Sequence, residues 1–154
     1  MSNDIPTTPQ ANPVDTVLAA LAHGISGHPE KAAPLFEPFV LGGPASSVSL
    51  CAALAEAATF HSRQTLPKGG MFGLLVLDAT TGARADINVL SPGIRFAAQF
   101  ASAWSNGERD TAYALFHALI EPETDEAAEA FGDGLRALFD MAVASLTHAA
   151  SRRS

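Results

Sequence analysis

The stretch MFGLLVLDATTGARADINVL, residues 71–90, decides the fold class when the chain is read by pattern alone. Met71 to Leu77 is a continuous apolar run. Ala83 to Val89 instead alternates, with Ala83, Ala85, Ile87 and Val89 on one side and Arg84, Asp86 and Asn88 on the other. A period of two belongs to a strand with one face buried, and a short apolar run suits a strand buried on both. Between them lies Ala79-Thr80-Thr81-Gly82, a four-residue loop with glycine late in it, which signals a hairpin. The pattern predicts strands near 71–78 and 83–90. The expected class is α+β, predominantly helical, with about five helices around one central antiparallel β-hairpin.

The flanks carry helix punctuation. Upstream, Asp15 is expected to cap a short helix, Thr16 to His23, closed by Gly24. Pro29 suits a first helical position, whereas Pro34 and Pro38 predict breaks in the hydrogen-bond ladder. Ser46 or Ser47 caps a helix reaching Arg63, with Leu50, Leu54, Ala57 and His61 on one face. Downstream, Ser91-Pro92 opens a helix to Trp104, and Asn106-Gly107 ends it. A second helix runs from Glu108 to Ile120. Thr124 caps the last, whose core stripe is Phe131, Leu135, Leu138, Ala142 and Leu146. Gly132 and Gly134 inside it predict a kink or a split.

Composition excludes more than it identifies. The 154 residues suit one domain, expected over 13–150 behind a disordered N-terminal tail at 1–12. A net charge of -7 argues against a nucleic-acid or anionic-membrane partner, both of which call for clustered Lys and Arg. The N-terminal segment has neither the positive start nor the apolar run of a secretory signal, so a cytoplasmic location is expected. A lone cysteine, Cys51, excludes a disulfide framework within one chain.

The chemical candidates are sparse. The five histidines are His23, His28, His61, His117 and His148, and no two are closer than five residues. His61 and Cys51 stand ten residues apart on one helix, about 80° apart around its axis, so no metal site is expected. Ser46, Ser47 and Ser49 follow Gly42-Gly43-Pro44 but lack the Gly-x-Ser-x-Gly elbow of a hydrolase. Lys68-Gly69-Gly70 leads toward the apolar run, the wrong order for a phosphate loop. Cys51, flanked by Leu50, Ala52 and Ala53, reads as a packing residue. No catalytic residue and no cofactor is expected.

The run Phe100-Ala101-x-Ala103-Trp104-x-Asn106-Gly107, followed by Ala112-x-x-Leu115-Phe116, resembles the helix–turn–helix opening of the nuclear-transport-factor-like cone folds. With Pro122 it is also similar to half of a tetratricopeptide repeat. The cone folds continue into a curved sheet, whereas helix is expected here, and no second repeat copy is found. What both resemblances imply is two antiparallel helices joined by an Asn-Gly turn and packed through Ala, Phe and Trp.

Two functions from different classes follow. The first is a small acidic non-enzymatic protein acting through protein–protein contacts, as a homo-oligomer. Its interface would use Leu75 and Leu77 of the hairpin and Phe36, Phe39 and Val40 of the proline-broken segment. A basic protein surface is a further possible partner for the acids between Glu121 and Asp133. The alternative is a small-molecule-binding protein or enzyme with a pocket lined by Phe60, Phe96, Phe100, Trp104 and Phe116, and with His61 or His117 as the polar group. A closed cavity of roughly 300 Å³ or more with a buried histidine would favour the second. An apolar surface with exposed or capping histidines would favour the first.

Overall fold

A computed structural model describes residues 12–65 and 90–151, with side chains described over 12–60 and 90–147. Among them are six α-helices: α1 (Pro13–Ile25), α2 (Ala32–Leu41), α3 (Pro44–Thr65), α4 (Pro92–Ser105), α5 (Arg109–Ile120) and α6 (Asp125–Ser151). One 3₁₀ turn, Pro29–Lys31, precedes α2. No strand or sheet occurs among the described residues, so the α+β class is corrected to a helical one. The stretch on which the hairpin rested lies outside the described residues, except for Leu90 in a bend. The physical reason is that a short apolar run does not separate strand from helix by period alone. The apolar stripes of the helices are buried with no sheet among the described residues to cover them.

The chain falls into two compact units, Met1–Leu50 and Cys51–Ser154, and the division lies within α3. In the first unit, Asn12 caps α1 by accepting a hydrogen bond from the Val14 amide (2.9 Å), with Pro13 in the first helical position. The helix therefore starts three residues before the expected Thr16. It also runs past Gly24 to Ile25, where the His28 amide bonds back to the His23 carbonyl (2.8 Å) and that of Gly27 to Gly24 (3.2 Å). That pair of bonds closes a Schellman turn. The prolines do not break α2. Pro34 sits in its first turn, where an amide has no intrahelical acceptor, and Pro38 lies exposed inside the helix at the loss of one bond.

The second unit is built around α4. Its buried face presents Phe96, Phe100 and Trp104, and it packs most extensively on α6 and then on α5. α4 ends in the same kind of turn as α1: the Glu108 amide bonds to the Ala103 carbonyl (2.8 Å), and Gly107, at φ +76°, bonds to Trp104 (3.1 Å). α4 and α5 pack together across the Asn106-Gly107 turn, with Trp104 of α4 against Tyr113 and Arg109 of α5. Thr124 caps α6, accepting from the Ala127 amide (3.1 Å).

The glycines of α6 do not split it. A Cβ on Gly134 would lie 2.9 Å from the Phe96 ring and 3.2 Å from the Gly93 carbonyl of α4. A Cβ on Gly93 would lie 2.5 Å from the Ala130 carbonyl and 2.6 Å from the Asp133 Cβ. The two glycines let α4 and α6 approach backbone to backbone.

Candidate functional site

Most of the sequence-derived candidates lie among the described side chains. Phe96, Phe100, Trp104 and Phe116 are all buried, but they pack on aromatic neighbours. Phe100 lies between Phe96 (5.3 Å, tilted) and Trp104 (6.0 Å, stacked), while Phe116 meets Phe131 of α6 edge-on at 6.0 Å. Such offset and edge contacts fill a core rather than line a pocket. Phe60 is half exposed, and His117 is exposed with its ring 5.5 Å from Phe116. The side chain of His61 lies outside the described residues, as do Leu75 and Leu77.

Sequence reasoning passed over the polar attachment of Trp104. Its indole Nε1–H donates to Glu56 Oε1 of α3 (2.8 Å), and the Arg109 guanidinium stands over its ring at 4.2 Å. Tyr113 of α5 meets the ring edge-on at 6.2 Å. Hydrogen bond, cation–π contact and aromatic edge together hold α3, α4 and α5 around one side chain. The spacing of Trp104 to Glu56, 48 residues, gave no local signal.

The reactive candidates are quiet. Cys51 is buried, and that burial pushes its thiol up to about 12, far from the thiolate a nucleophile needs. Ser47 is buried and donates to the Phe39 carbonyl (3.3 Å), and Ser49 donates to Ala45 (2.9 Å), so both are spent on local structure. Among the described residues no group of three or more His, Cys, Asp or Glu could hold a metal ion. His28 is exposed, with Nδ1 3.4 Å from Glu30. A backbone hydrogen bond first, and then His28 and Lys31, hold the Glu30 carboxyl below its usual range.

Open clefts occur among the described residues. One, of about 630 Å³, is lined by Asn12, Pro13, Phe39, Gly42, Ala45, Ser46 and Ser49. The other, of about 360 Å³, sits at the α5–α6 turn beside Ile120, Glu123 and Phe131. Neither is lined by a histidine, and neither is enclosed.

The surface is more informative. Of the expected interface residues of α2, Phe36 and Phe39 are buried, leaving Val40 at the surface with Leu41 beside it. α1 has two apolar faces. Val17, Ala20 and Leu21 are buried, whereas Val14, Leu18 and Ile25 are 55, 57 and 51% exposed, with Ala22 exposed between them. Positions 14, 18, 22 and 25 follow the helical period, so they form one stripe. The acids Glu121, Glu123, Asp125, Glu126, Glu129 and Asp133 are all exposed. No described helix is long and apolar enough to cross a membrane. Comparison with protein families, curated proteins and solved structures finds no match for the chain.

Proposed function

We propose that this is a small acidic, cytoplasmic, non-enzymatic protein that acts through protein–protein contact and associates with itself. The observation that carries the reading is the second apolar face of α1, the exposed stripe Val14, Leu18, Ala22 and Ile25. Singly exposed apolar residues are ordinary, but a stripe in register along one helix is the pattern of a contact surface. The packing of the central aromatics on one another supports the same reading over a ligand pocket. Sedimentation velocity from about 1 to 100 µM tests it, spanning the range of weak association. The expected result is a sedimentation coefficient that rises with concentration for the natural chain and stays at the monomer value for Leu18→Asp. A natural chain that remains monomeric throughout overturns the proposal.

A further inference from the structure

We draw no further inference here: the strongest candidate, the open cleft of about 630 Å³ beside the first turns of α1 and α3, rests on helix N-termini alone, with Asn12 and Ser49 along it exposed and spent on local backbone bonds rather than aimed at a ligand.

Discussion

The two units of this chain differ in how they handle apolar surface. The second keeps its largest apolar side chains inside: Phe100, Phe116, Leu138 and Phe139 are almost wholly inaccessible, although Phe60, Ile94 and Tyr113 stand exposed. The first leaves it open: Val14, Leu18, Ile25, Val40 and Leu41 are all more than a third exposed, with few charges near them in sequence. Exposed leucine and isoleucine cost little singly, but in register they are surface waiting for a partner. The difference sets an aromatic core in one unit against an exposed apolar helix face in the other.

The largest expected effect tests the closed half. Phe100→Ala removes a ring held between Phe96 and Trp104 at full burial. A loss of about 3–5 kcal/mol is expected, as for other buried aromatics, read from the urea midpoint. A loss below about 1 kcal/mol would mean that α4 does not organise this core. Next comes the glycine contact between α4 and α6. Gly93→Ala puts a Cβ 2.5 Å from a backbone carbonyl that has no rotamer to yield, and about 2–3 kcal/mol of destabilisation is expected. Gly132→Ala, on the same α6 but with nothing within 4 Å, is expected to stabilise by up to about 1 kcal/mol. Opposite signs from two Gly→Ala changes would establish the close crossing. Equal signs would remove it.

Much of the helical frame was legible, because caps and prolines act locally. Ser91-Pro92, Asn106-Gly107 and Thr124 marked boundaries that the structure keeps within a residue or two. Of the stripe Phe131, Leu135, Leu138, Ala142 and Leu146, legible from its period, the first four are buried and Leu146 is half-buried. Errors arose where two local signals competed. Asp15 reads as the cap of α1, whereas the cap is Asn12, which precedes a proline in the first helical position. Pro38 predicts a break, yet one lost bond on a solvent-facing side is tolerated when the rest of the turn closes. The α+β class rested on the apolar run from Met71, the alternation over Ala83–Val89 and the loop between them, a stretch outside the described residues. Gly134 of α6 reads as weakness because its reason, the approach of Gly93, lies about 40 residues away in sequence.

The exposed face of α1 was the least legible, because the helix is apolar on most of its circumference and period alone does not say which face is inside. Leu18 and Leu21 are the same residue type three apart, yet one is 57% and the other 1% exposed. That contrast yields the smallest and most discriminating prediction. Under dilute, monomeric conditions Leu18→Asp should change unfolding stability by no more than about 0.5 kcal/mol, as at ordinary surface sites. Leu21→Asp would bury a carboxylate and should unfold the first unit. Because Leu18→Asp also adds charge to a face that has none, its effect should be confined to association, appearing at high concentration and vanishing on dilution. If Leu18→Asp instead destabilises the dilute chain as severely as Leu21→Asp, both faces of α1 are covered within one copy. The open half of the molecule would then be closed like the other, and the contrast between the two units would disappear.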